Sequence, residues 1–110
     1  MLFRSWISKR VVPPTRMAVY IATTDRERAA FIKRTLGEDK YEFLESDTAT
    51  VALNEISLYQ NYLESVFFDY TMPDISKEIL RKYINSRPLF SQIPVHDIRK
   101  EVDLKRDVLL

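Results

Sequence analysis

Short apolar runs alternate along this chain with stretches of helical periodicity, and that alternation limits the possible folds more than any other feature. MAVYIA at 17–22 and VFF at 66–68 are almost uninterrupted apolar runs, the mark of strands covered on both faces. YEFLES at 41–46 alternates as a strand does, and QIPV at 92–95 opens a fourth. In the intervening TTDRERAAFIKRTLGEDK, Ala29, Ile32 and Leu36 share one helical face. Thr24 stands three residues before Glu27 at capping-box spacing, and Gly37, the single glycine, stands where a left-handed C-terminal cap would need it. Asp47 or Thr48 can cap TATVALNEISLYQNYL, in which Ala52, Ile56, Tyr59 and Leu63 recur at helical spacing. SKEILRKYINS is the third helix, with Ile79, Leu80, Tyr83 and Ile84 predicted to face inward. This order predicts an α/β fold, a doubly wound parallel sheet of about four strands with right-handed crossovers and helices on both faces.

At 110 residues the chain has room for one core. No apolar stretch approaches the roughly 20 residues that span a bilayer. The formal charge of +1 lacks the basic excess of a nucleic-acid binder. Cysteine is absent, which removes disulfide and thiolate chemistry and fits a reducing cytoplasm. The near-neutral total hides an asymmetry. Residues 1–16 carry Arg4, Lys9, Arg10 and Arg16 without an acid, whereas residues 17–95 hold nine basic and twelve acidic residues. Pro13 and Pro14 stop a helix from running between the two parts, so residues 1–16 read as a basic arm and 17–110 as the domain. The arm is open to three readings: a leader ahead of Met17, an appendage packing Phe3, Trp6 and Ile7, or a membrane or nucleic-acid contact.

The third strand ends on an acid, in VFFDYTMPD. Asp69 followed by two residues and then Met72 and Pro73, placed after an apolar strand and before a helix, resembles the phosphoacceptor segment of response-regulator receiver domains. VYIA before a helix ending FIKRTL, the YEFLES strand and RPLFSQIPV support the match over residues 17 to about 95. The resemblance implies a flavodoxin-like sheet with Asp69 as the candidate phosphoacceptor. In such sheets ligands gather at the carboxyl ends of the strands, where strand order reverses.

Two departures accompany the resemblance. Where the family has an acidic pair that helps hold magnesium after the first strand, this chain has Thr23 and Thr24. Asp25 is the next carboxylate that could join Asp69 in binding a metal. Neutral hydroxyls bind hard divalent cations poorly without further carboxylates. The family's hydroxyl after strand four and lysine after strand five have no counterpart either. The strand-four end corresponds to Arg99 or Lys100, and the chain reaches Leu110 before a fifth strand and helix fit. Arg99 or Lys100 could pair with Asp69 in place of metal and phosphate. Strand four, carrying His96, Asp97 and Arg99, reads as an edge strand, and EVDLKRDVLL as a segment covering the exposed flank in this chain or a neighbour.

The expectation is a degenerate receiver-like module that signals by protein contact, with no enzymatic activity and no cofactor, in the cytoplasm, self-associating or bound to a partner. The alternatives are a competent receiver phosphorylated on Asp69 by a histidine kinase with Mg2+, and a structural subunit using the same fold. A single glycine excludes phosphate-loop and dinucleotide fingerprints. His96, the one histidine, has neither a second histidine nor a cysteine to form a metal site with. IATTDRER lacks paired acids spaced for two metals. Tyr59, Tyr62, Phe67, Phe68, Tyr83 and Phe90 fall at core spacing, as packing residues do.

Overall fold

Successive strand residues point to opposite faces of a sheet, so a run such as Ala18–Ala22 can be wholly apolar only if both faces are covered. A computed structural model describes residues 17–106 and the backbone of 108–109, and all five residues of this strand, β1, are buried. The basic arm at 1–16 lies outside the described residues. β1 is followed by α1 (Arg26–Leu36), β2 (Glu42–Ser46), α2 (Ala49–Leu58), β3 (Leu63–Phe68), α3 (Lys77–Ser86), α4 (Leu89–Gln92), β4 (Val95–Asp97) and α5 (Ile98–Glu101). A short hairpin of β5 (Val102–Asp103) and β6 (Val108–Leu109) closes the series. The four-stranded sheet is parallel, as the alternation predicts, and its order β2-β1-β3-β4 is the flavodoxin-like one that the resemblance implies.

The two faces carry separate cores. Ala18, Tyr20 and Ala22 of β1, with Val66 and Phe68 of β3, pack with Ala52 and Ile56 of α2, Leu80 and Ile84 of α3, and Leu89 and Phe90 of α4. Val19, Ile21 and Phe67 point the other way, onto Ala29, Phe31 and Ile32 of α1. Burying each large side chain stabilises the fold by about 1.5–3 kcal/mol. Ile98 and Val102 join this second cluster, with Leu104 beside them, so the segment after β4 covers part of the flank within this chain. β4 remains an edge strand among the described residues, as its charged residues imply. His96 there stacks on Phe67 at 4.7 Å and bonds Glu101 Oε1 through Nδ1 at 2.9 Å.

Several local expectations need correction. Asp25, not Thr24, caps α1, accepting from the Arg28 amide at 3.1 Å; a carboxylate is a stronger acceptor for an orphan helix amide, and Thr24 is exposed. Thr48 caps α2, but the helix ends at Leu58, and after a 3-10 turn at Gln60–Tyr62 Leu63 opens β3. Its helical spacing was coincidental, because a fully buried Leu fits a strand start equally well. Ile79 faces solvent at 63% exposure, since Leu80 and Ile84 already fill the inner stripe of α3. Gln92 belongs to α4, and β4 begins only at Val95. Arg99 and Lys100 lie on α5, because Asp97 caps a new helix through the Arg99 amide and ends the strand. Gly37 does end α1, with φ of 104° and its amide donating to Lys33 O at 3.0 Å.

Candidate functional site

The reversal of strand order between β1 and β3 opens a crevice at their carboxyl ends. Ala22 and Phe68 are paired neighbours, so the residues that follow them, Thr23 and Asp69, emerge side by side. The Asp69 amide donates to Ala22 O at 2.9 Å, and the Thr23 amide to Ser46 O at 3.0 Å, which extends the ladder into the crevice. Asp69 and Thr23 are both fully buried.

The Asp69 carboxylate accepts from five donors. Thr23 Oγ1 donates to Oδ2 at 2.7 Å. The Thr71 amide and hydroxyl donate to Oδ1 at 2.9 and 2.6 Å. Arg99 completes the set in fork geometry, Nε to Oδ1 at 3.2 Å and Nη2 to Oδ2 at 3.0 Å. A carboxylate offers about four lone-pair sites, so its acceptor capacity is filled. Burial pushes the Asp69 carboxyl up, but the bonds from Arg99, Thr71 and Thr23 outweigh it and hold the group below its ordinary value. The carboxylate in return raises the Arg99 guanidinium.

Thr23 works in both directions, donating to Asp69 and accepting from the Asp25 amide at 3.0 Å. Asp25 faces two guanidinium groups. Arg28 Nη1 donates to its Oδ2, and Arg99 Nη1 lies 3.5 Å from the same oxygen. Burial raises the Asp25 carboxyl, but the Arg28 amide and guanidinium, with Arg99, hold it below its usual value. Arg99 thus bridges the two carboxylates. Among the residues singled out from the sequence, Thr23, Asp25, Asp69 and Arg99 come together here. Thr24 and Lys100 are exposed and are not among the donors to Asp69. Met72 is buried in the first core cluster, and Pro73 is exposed in the turn.

The geometry adds residues that sequence reading missed. Thr71 locks Asp69 through a turn spanning two residues, and the D-x-T spacing was a readable signal for it. Asp74 accepts from the Ala49 and Thr50 amides at 2.9 and 2.8 Å and from Thr50 Oγ1 at 2.8 Å, tying the loop after β3 to the start of α2. Burial raises its carboxyl, and these three donors hold it lower than usual. No local signal marks that contact, whose partners lie 24 and 25 residues upstream. Tyr70 lies under the Arg81 guanidinium at 4.3 Å, and Arg81 bonds Asp97 at 2.9 Å, joining the same loop to α3 and β4.

The donor set fits magnesium badly. A hard divalent cation takes near-octahedral oxygen ligands. The crevice offers two hydroxyls, of Thr23 and Thr71, and two carboxylates whose lone pairs already face guanidinium groups, and no group of three or more metal-binding side chains exists among the described residues.

No family model matches the sequence, and no curated protein matches it. A crystal structure from Chloroflexus aurantiacus J-10-fl, of a protein that carries a provisional response-regulator name, superposes with a TM-score of 0.58 over 74% of this chain at 23% identity. This chain adopts a receiver-like fold. The match covers 65% of the other chain's length, and at this identity what the two share is the fold.

Proposed function

We propose that this chain is a degenerate receiver-like module that signals by contact with another protein or a second copy, without a normal phosphorylation cycle or catalysis of its own. One observation carries the reading: the Arg99 guanidinium lies on both Asp69 oxygens and reaches Asp25, where a receiver would need room for a metal ion and a phosphoryl group. A phosphoryl acceptor needs a free lone pair on its nucleophilic oxygen. Here Arg99 or a threonine would first have to leave. The reading involves no cofactor and a cytoplasmic setting, with residues 17–110 as the module and 1–16 as an appended arm. β4, short and without a further strand among the described residues, is the flank on which contact is expected.

A second reading rests on the same cluster. Asp25 and Asp69 share one cation, Arg99, so a divalent ion displacing that guanidinium would meet two carboxylates. Asp69 would then accept phosphate from a histidine kinase. Incubation with magnesium and acetyl phosphate, followed by intact-mass spectrometry, separates the two. The first reading expects no adduct and no beryllofluoride binding. A phosphate adduct absent from Asp69→Asn would establish the second. For self-association, a compact monomer by ultracentrifugation at micromolar concentration would remove that part of the proposal.

A further inference from the structure

Adjoining the crevice, and sharing Arg28 and Arg99 with it, lies a cleft of about 370 Å³ whose lining also includes Lys100, Asp103 and Lys105. Four cationic side chains there meet one carboxylate, and Asp103 is already engaged. Its Oδ1 accepts from the Lys105 and Arg106 amides at 3.1 and 3.2 Å, and its Oδ2 lies 3.6 Å from Arg106 Nε. Asp25 and Asp69, the acids paired with the cleft's two arginines, are occupied by them. Neither Lys100 nor Lys105 reaches a carboxylate of the described residues.

A second observation falls on the same wall. Arg28 Nε is buried without any hydrogen-bond acceptor, the one such side-chain atom among the described residues. Buried donors are almost always satisfied, and an orphan calls for an absent water or ligand as its partner. The rest of the Arg28 head is held by Asp25, so the guanidinium cannot turn to satisfy Nε without giving up the Asp25 bond. Nε has almost no exposed surface, so an acceptor in the cleft meets it only when the Arg28 head shifts toward that cleft.

From the two lysines with no carboxylate partner among the described residues and the orphaned guanidinium donor together, we infer that this cleft binds a phosphate-type oxyanion, as free phosphate or as a phosphomonoester. A dianion with several acceptor oxygens matches two ammonium groups and a guanidinium N–H, whereas a monoanionic carboxylate would leave the lysine charge half balanced. The site does not depend on the chemistry of Asp69. It borders Arg99, so occupancy would be felt at the guanidinium that holds the crevice.

The test is a ¹H–¹⁵N NMR titration of the full chain with inorganic phosphate and, separately, with O-phosphoserine, at ionic strength held constant with sodium chloride. Saturable shifts are expected in the amides of 26–28 and 99–106. The double variant Lys100→Ala/Lys105→Ala alters exposed side chains only and should weaken binding roughly tenfold or more. Arg28→Lys, which keeps the charge and removes the Nε donor, should also weaken it, and Lys100→Arg should retain it. Tighter binding of O-phosphoserine would identify an esterified ligand, and equal or tighter binding of phosphate a free one. Asp69→Asn should keep saturable binding, which separates this site from any phosphoryl transfer at Asp69. Shifts that rise linearly without saturating, or an unchanged affinity in the double lysine variant, would overturn the inference.

Discussion

Arg99→Gln is the most informative single change, because it removes the cation from a carboxylate that has no exposure of its own. Asp69 is 0% exposed and receives two of its five hydrogen bonds from Arg99. Removing one member of a buried ion pair costs about 3–5 kcal/mol when the other charge is left without compensation. Two features reduce that here. The Arg99 side chain is 37% exposed, so water can follow it out. The hydroxyls of Thr23 and Thr71 and the Thr71 amide also stay on the carboxylate. A loss of about 2 kcal/mol at neutral pH is expected, lowering the urea midpoint by about 1 M and Tm by roughly 8–12 °C. The pH dependence carries a second signature. In the native protein the Asp69 pKa is depressed, so its contribution is full above the unfolded carboxylate value of about 3.9 and fades as pH falls through the folded pKa. In Arg99→Gln burial is less opposed and the folded pKa moves up. The variant regains stability on acidification where the native protein loses it. Urea unfolding at pH 7 and pH 3 should therefore show the gap between the two narrowing with acid. A gap under about 0.5 kcal/mol at pH 7, or one that widens on acidification, would refute the claim that Arg99 compensates a buried charge.

Asp74→Ala should cost about 1 kcal/mol, because α2 loses the carboxylate that holds its first amides. Hydrogen exchange at Ala49 and Thr50 should accelerate, and acid should produce the same loosening in the native protein as pH falls through the depressed Asp74 pKa. Ile98→Ala should destabilise by about 2–4 kcal/mol, since the side chain is fully buried against the β1 and β3 face, and it should expose that face to a dye such as ANS. Wild-type stability in Ile98→Ala would mean that the segment after β4 is not a cover.

The architecture was legible because it rests on local periodicity. Apolar runs at 17–22 and 66–68 between capped helical segments suit strands covered on both sides, and Ala29 with Ile32 or Leu80 with Ile84 recur at helical spacing on the buried side of their helices. Part of the site was legible for the same reason, since any residue directly after a central parallel strand emerges at the crevice. Element ends were less so. Leu63 fits a helix stripe and a strand start equally in sequence, and the choice between Thr24 and Asp25 as cap depends on which residue first takes helical backbone angles.

What the sequence by itself determined is that Asp69 directly follows one buried strand, and that Thr23, Thr24 and Asp25 directly follow another. Whether Arg99 or Lys100 would answer that charge was beyond it, because adjacent residues on a helix point about 100° apart and one turn's register decides which is in reach. The tertiary structure decided for Arg99, by ending β4 at Asp97 and starting α5 there. It also joined Asp74 to α2 and left Arg28 Nε without a partner. These contacts form between residues far apart in the chain, and their geometry exists only once the sheet has brought their ends together.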